Sequence, residues 1–396
     1  LKFFKNKGAV GLQLETGVIR AVEITGTLRT AALVKAEKIE VPETAIVEGV
    51  VENAETVAGA LKELWTRSHI GSREVVLGVS NQGVLMRLAN LPKVEPGKLE
   101  KMLRFQAGDY FPIPLSEMVL DYAVVDEVQG ETGPQLEVLM VAVRQDLLDK
   151  SLETLTCAGL VPRIVDVSPL ALMRTLPESR LTGTTIFVDM ADGITSLMLV
   201  TGGIPRFIRI IPTNLQTASE QDNYFAEIIL QSKQQAASTN TGDSMSDIFL
   251  PDDLIPEAES QVSFTNAAES KSGSFAPGEI IWKKEQETED PIKDENMPGN
   301  VWYNWAGAVA EEIRSSIGFY LAQRDSLTVD CLFLSGCGAR AEEVKELFNL
   351  ELDIPVEVIN PIVSFKGAVN TLNVDWNKVG PDFAVAVGLA LRGMET

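Results

Sequence analysis

At 396 residues the chain exceeds what one ordinary hydrophobic core organises, so a pair of lobes or domains is expected. Hydrophobic residues make up 45% and charged residues 23%, the balance of a soluble globular protein, and no run reaches the ~18 apolar residues of a membrane helix. With 56 acids against 34 bases the formal net charge is −22, which argues against a nucleic-acid binder, whose electrostatic footprint is basic.

The first residues, LKFFKNKG, are basic with Phe3 and Phe4 and read as a frayed terminus, because about seven residues are too few to hold a membrane surface. No signal-peptide-like apolar region follows them. VGLQLETGVIRAVEI (10–24) alternates apolar residues around Thr16-Gly17, which predicts a hairpin with φ > 0 at the turn. An amphipathic helix is expected over 48–68, with Val57, Leu61 and Leu64 on one face, then a strand over EVVLGV (74–79). Residues 80–162 differ in character. VLMRLANLP opens the block, and a helix follows with Leu99, Met102, Leu103, Gln106, Ala107 and Tyr110 on one face. After FPIPLSE come two strands, 118–128 and 136–143, around QGETGP, then a helix from Gln145 to Ala158 stopped by Gly159. The pattern predicts a β-α-β-β-α unit inserted into a larger fold.

IFVDMADGITSLMLV (186–200) repeats the plan of 10–24: apolar strand, short Gly/Thr turn, apolar strand. Two such hairpins, one near the start of each half, predict a duplicated bilobal α/β fold with ligands held between the lobes. From Lys233 to Asn300 Ser, Gln, Glu, Asp, Pro and Asn dominate without periodicity, which predicts a mobile acidic insertion, disordered rather than a domain. Helical spacing returns at Trp302, with Trp305, Val309, Ile313 and Tyr320 on one face. A strand (CLFLSG, 331–336), a helix (341–350), a strand (VEVI, 356–359) and a small-residue helix in PDFAVAVGLALRG close the chain. The divisions are 1–79 for the first lobe, 80–162 for the insert and 163–182 for a return through the first lobe. The second lobe takes 183–232 and 301–396, with 233–300 inserted between them.

His69 is the only histidine, which removes His-dependent triads and His-rich zinc sites. Cys157, Cys331 and Cys337 have no CxxC spacing and read as small buried hydrophobes in a reducing compartment. Chemistry therefore falls to carboxylates, hydroxyls, backbone amides and an oxygen-held metal. Three turns could cradle phosphates and an adenosine: Glu15-Thr16-Gly17, Asp189 to Thr195, and Ser335 to Arg340. Gly336 and Gly338 would admit close approach to the backbone ahead of a helix. Asp189 ends a buried strand, where a carboxylate is costly unless it holds a cation or water. Taken singly, each turn reads more simply as an ordinary strand turn. Their order is the specific feature.

That order resembles the superfamily of actin, the sugar kinases and the heat-shock chaperone ATPases. More narrowly, NLPKVEPGKLEKMLRFQAGDYFPIPLSEMVLDYAVV and VLMVAVRQDLLDKSLETLTCAGLVPRIVDVSPLALMR resemble the PilM family of type IV pilus assembly proteins, relatives of the division protein FtsA. LFLSGCGAR, VEVINP and FAVAVGLALRG resemble that family's closing motifs, and the likeness spans everything except 233–300. It implies an actin-like (RNase H-like) duplicated bilobal fold with an inserted FtsA/PilM-type 1C subdomain. It implies ATP and magnesium as cofactors, with Thr16, Gly17, Asp189, Asp192, Gly193, Thr195, Gly336 and Gly338 around the nucleotide. Glu311 and Arg314 would be ribose or adenine contacts or, as readily, a solvated helix face.

The nucleotide motifs depart from the family at defined points. Where its first loop has an aspartate two residues before a glycine, this chain has Gln13 and Glu15. A neutral amide does not supply the charge that orients magnesium and its waters. Glu15 ~4 Å from a phosphate in partly screened surroundings would meet about 4 kcal/mol of repulsion, on the order of a thousandfold in affinity. Ala191 replaces a glycine of the second loop, Pro212-Thr213-Asn214 a Gly-Gly turn after RFIRII, and Cys337 the middle glycine of the adenosine loop. Poor ATP binding, little or no hydrolysis and no catalytic residue or resident metal are expected.

The resemblance further implies a cytoplasmic scaffold, peripheral to the inner membrane through its partners. It would grip the N-terminal cytoplasmic tail of a PilN-type inner-membrane protein between subdomains 1A and 1C. Leu91, Pro92, Arg104, Phe111 and Pro112 are candidate contacts. The alternative is a functional ATP-binding actin-like ATPase whose nucleotide state switches pilus assembly or secretion. A sugar or acetate-type kinase is disfavoured because the 80–162 block matches neither kinase family.

Overall fold

The computed structural model describes residues 8–130, 133–212, 301–323, 328–365 and 374–395. The expected fraying of the first residues, the 233–300 insertion and Thr213-Asn214 lie outside the described residues. β1 (Ala9–Glu15) and β2 (Val18–Thr25) form the expected hairpin, with Glu15 opposite Val18 and Gly17 at φ +77°. β3 (Ala32–Glu40) pairs with β2, and β4 (Ile46–Val47) pairs with β5 (Val50–Val51). α1 (Ala54–Ser68) starts at Ala54 rather than near 48 because Glu48 and Gly49 take left-handed φ values and make the turn between β4 and β5. Asn53 caps it, its side chain accepting from the Thr56 N–H.

β6 (Glu74–Val79) runs parallel to β1. The insert follows: β7 (Val84–Pro92), α2 (Pro96–Tyr110), β8 (Met118–Gly130) and β9 (Gly133–Arg144), the strands forming an antiparallel sheet in the order β7-β9-β8. It has its own core of Leu91, Leu99, Leu103, Ala107, Phe111, Val138 and Met140. α3 (Gln145–Cys157) packs elsewhere: Leu148 and Leu155 join Leu61 and Leu64 of α1 in the core of the first lobe. β10 (Val161–Val167) then pairs parallel with β6, completing a sheet of order β3-β2-β1-β6-β10. The self-contained part of the 80–162 block is thus β7 to β9.

After α4 (Ser168–Met173) the plan repeats. β11 (Thr184–Met190), β12 (Ile194–Thr201) and β13 (Ile204–Pro212) form an antiparallel meander. α5 (Val301–Gln323), β14 (Cys331–Ser335), α6 (Glu342–Leu352) and β15 (Val356–Val358) follow, giving the order β13-β12-β11-β14-β15. Each lobe is therefore a three-strand meander followed by two parallel strands, and the duplication expected from the two hairpins is present at the level of topology. Arg206 on β13 donates to Glu137 on β9 at 2.8 Å, both largely buried, joining the insert to the second lobe.

A short α7 (Trp376–Val379) precedes α8 (Ala384–Met394). α4 and α8 sit between the sheets: Ala171, Leu172, Val385 and Leu389 share a core with Phe187, Met198 and Phe333 of the second lobe. The small residues of α8 let backbones meet closely. A Cβ on Gly388 would lie 2.1 Å from the Ala171 carbonyl oxygen, and one on Gly11 of β1 2.0 Å from that of Ala386. Gly11→Val is therefore expected to lower the unfolding free energy by about 3 kcal/mol or more, since backbone must move to admit it. Gly59→Ala on α1, which meets nothing within 4 Å, should raise it by about 1 kcal/mol. Urea titration of the two variants checks the contrast.

Candidate functional site

Strand alternation builds the site. Leu12 and Leu14 of β1 enter the first-lobe core, so Gln13 and Glu15 face the other way, and Arg20 of β2 lies opposite Gln13 in register. That face meets the chain just before α8. Arg20 is 4% exposed, pairs with Glu15 through Nη1, places Nη2 3.6 Å from Asp382 Oδ2, and lies 6.0 Å from the Phe383 ring centre. Gln13 Nε2 donates to the other Glu15 oxygen. Burial pushes the Glu15 carboxyl up to about 7 against the pull of Arg20, with Asp189 and Asp382 adding to the rise. Burial works against the Arg20 charge too, but Glu15 and Asp382 more than offset it.

Glu15 is turned inward, and its oxygens are held by Gln13 and Arg20. Arg20 and Asp382 were missed by the reading of motifs. The signal was available: a charged residue between Ile19 and Ala21 in a strand buried on both sides falls on the face of Gln13 and Glu15.

Asp189, next to last in β11 and buried, accepts from Ser335 Oγ of β14 at 2.7 Å. Burial pushes its carboxyl up to about 6. The two hairpin turns touch: a Cβ on Gly193, itself at φ +78°, would lie 2.3 Å from Thr16 Oγ1. The Glu48 N–H donates to Thr16 Oγ1 at 3.2 Å, and the Ser80 and Ser196 hydroxyls pair at 2.8 Å. The space left between Gln13, Glu15, Ser80, Asp189, Asp192 and Ser196 is about 20 Å³, on the order of one water molecule. Thr195 is buried opposite Met190 in the second hairpin.

At the third turn Gly336 has φ +83°, a Cβ there would lie 2.6 Å from the Met190 carbonyl oxygen, and its N–H donates to the Pro381 carbonyl at 3.0 Å. Gly338 is buried in the short turn Cys337–Arg340. Burial pushes the Cys337 thiol up to about 12, so it stays protonated and unreactive. Arg340 Nε lies 3.5 Å from Asp382 Oδ1.

The structure thus brings Thr16, Gly17, Asp189, Asp192 and Gly193 together, with Gly336 behind them against Met190. Arg314 is engaged elsewhere, Nη2 donating to the carbonyl and carboxylate of Glu351 at the end of α6 at 2.8 and 2.9 Å, while Glu311 is exposed on α5. Of the candidate partner contacts, Leu91 and Phe111 are buried in the insert's core, 3% and 2% exposed. Pro92 and Pro112 are exposed, and exposed Arg104 pairs with Glu100 at 3.1 Å. In this arrangement the first-turn carboxylate is paired with Arg20 and the two hairpin turns touch.

A meander-plus-parallel sheet built twice around central helices, with paired hairpin turns and a strand–Gly turn meeting between the lobes, defines an actin-like protein. The chain belongs to the family of the type IV pilus assembly protein PilM, whose family model matches residues 11–228 and 284–394. Among solved structures it is similar to a PilM–PilN type IV pilus biogenesis complex, at 25% identity over 98% of this chain and 99% of that one, with a TM-score of 0.68. Weaker likenesses include the ethanolamine utilization protein EutJ from Carboxydothermus hydrogenoformans, at 12% identity over 97% of this chain and 89% of that one, TM-score 0.44. MreB5 of Spiroplasma citri bound to AMPPNP gives 11% identity over 96% and 94%, TM-score 0.39. The fold and family expected from the sequence are borne out. Among the described residues no helix is long and apolar enough to cross a membrane.

The raised Asp189 carboxyl carries a pH dependence. Folding favours its protonated form, so its contribution to stability is present below its ordinary value of 3.8 and is lost as pH rises through about 6. Asp189→Asn, neutral at every pH, should match the native chain near the low end. It should gain on the order of 2–3 kcal/mol relative to it above about pH 7. Denaturant titrations across that range test the sign.

Proposed function

We propose that this PilM-family protein is a scaffold of type IV pilus biogenesis that grips the N-terminal cytoplasmic tail of a PilN-type inner-membrane protein without a nucleotide cycle. It works in the cytoplasm, held at the inner membrane by that partner. The observation that carries the second half is the closed first turn, where Gln13 and Arg20 hold Glu15 and Thr16 lies against Gly193. The similarity over the whole chain to a protein solved with PilN supports the first half.

A groove of about 400 Å³ lies where the insert meets α3, lined by Ser116, Glu117, Arg144, Gln145, Asp146 and Asp149. It opens a few residues beyond the Phe111-Pro112 corner. Arg144 is tied to Asp146 at 2.7 Å, so Glu117 and Asp149 set a net acidic character that suits a basic residue in the tail. Asp189, in the turn that resembles a second phosphate loop, accepts from Ser335 of the third turn, and on that observation the switching ATPase is the reading to be tested against.

Calorimetric titration of the tail peptide of a PilN-type partner should give the same affinity with and without Mg-ATP, within a factor of about two. Asp149→Lys should weaken it by about tenfold. Strict dependence on Mg-ATP, or micromolar Mg-ATP binding with phosphate release lost in Asp189→Asn, would establish the ATPase instead.

A further inference from the structure

Four charged side chains form a chain of ion pairs. Glu15 of β1 is paired with Arg20 of β2, Arg20 lies 3.6 Å from Asp382, and Asp382 lies 3.5 Å from Arg340. The series starts at the first hairpin turn, crosses the entry to α8 and ends at the strand–Gly turn of the second lobe. Its inner three members are at most 6% exposed, whereas the Arg340 side chain is about half exposed. Asp382 thus answers to one guanidinium from each lobe.

We propose that Arg20 is a tethered cation that, through Asp382, ties the first hairpin turn to the Arg340 turn, so the lobes stay joined whether or not a nucleotide is present. This rests on the reading that the cleft works without a nucleotide. A planar guanidinium bridges carboxylates by forked donors. Glu15 and Asp382 are acceptors that such a fork can reach together. Gln13 suits this arrangement better than an aspartate: it donates to Glu15 instead of adding a further buried negative charge beside it. Contact between Thr16 and Gly193 and the Ser80–Ser196 hydroxyl pair then close the space above the cluster.

The test measures the distance between lobes in the full chain. Spin labels on exposed Cys157 of α3 and on a cysteine replacing exposed Leu350 of α6 report it by pulsed electron resonance. The native pairing should give one narrow distribution that Mg-ATP leaves unchanged. Arg20→Ala should broaden and lengthen it, millimolar guanidinium should restore it, and urea, of the same shape but uncharged, should not. Arg340→Ala, at the solvent-exposed end of the series, should broaden it partly and serves where Arg20→Ala fails to fold. A narrow distribution in Arg20→Ala overturns the proposal, as does equal action of guanidinium and urea. An unchanged distribution in Arg340→Ala overturns the link to the second lobe. Should the native chain instead shift on adding Mg-ATP, the reading of the cleft fails. If it ignores Mg-ATP while the variants stay narrow, the tethered cation alone is wrong.

Discussion

Burial of the Glu15 carboxylate beside the Arg20 guanidinium is the constraint on which the site depends. Neither group can face the interior alone, and removing one partner of such a pair typically costs about 3–5 kcal/mol because the other is left buried and uncompensated. The pair therefore fixes the first hairpin with its polar face against the entry to α8. Turned this way, the hairpin offers Thr16 to the second hairpin and holds the Glu15 oxygens on Gln13 and Arg20.

The duplicated architecture supplies the setting. Each lobe presents its first hairpin at the cleft, and α4 and α8 pack between the sheets through glycine and alanine at van der Waals limits. Packing this close transmits the position of one lobe to the other, because backbone against backbone has no flexible side chain to absorb a shift. The insert is tied to the first lobe through its chain connections and to the second through Arg206 and Glu137. Under the proposed function, a tail segment bound near α3 would be read against a frame whose parts are already joined.

Much of the fold was legible in the sequence because its signals are local. Alternation around Thr16-Gly17 and Gly193 fixes both hairpins, and the spacing of Leu99, Leu103 and Ala107 fixes α2. The start of α1 was misplaced because the left-handed turn at Glu48-Gly49 carries no apolar periodicity. Leu91 and Phe111 sit in motifs that resemble the family, but motif likeness carries no information on which way a side chain faces, and both are core. Arg20 was passed over for the converse reason. Its partners, Glu15 and Asp382, are 5 and 362 positions away, and only the fold puts the second beside it.

The most direct measurement is amide hydrogen exchange of the native chain at residues 13–20 with and without Mg-ATP. If the hairpin is closed by its own ion pair, these amides are strongly protected and their rates are the same in both conditions. Slowing of exchange at Thr16 and Gly17 on adding Mg-ATP would show that the turn still receives phosphates, and the account of a self-satisfied clamp would be wrong.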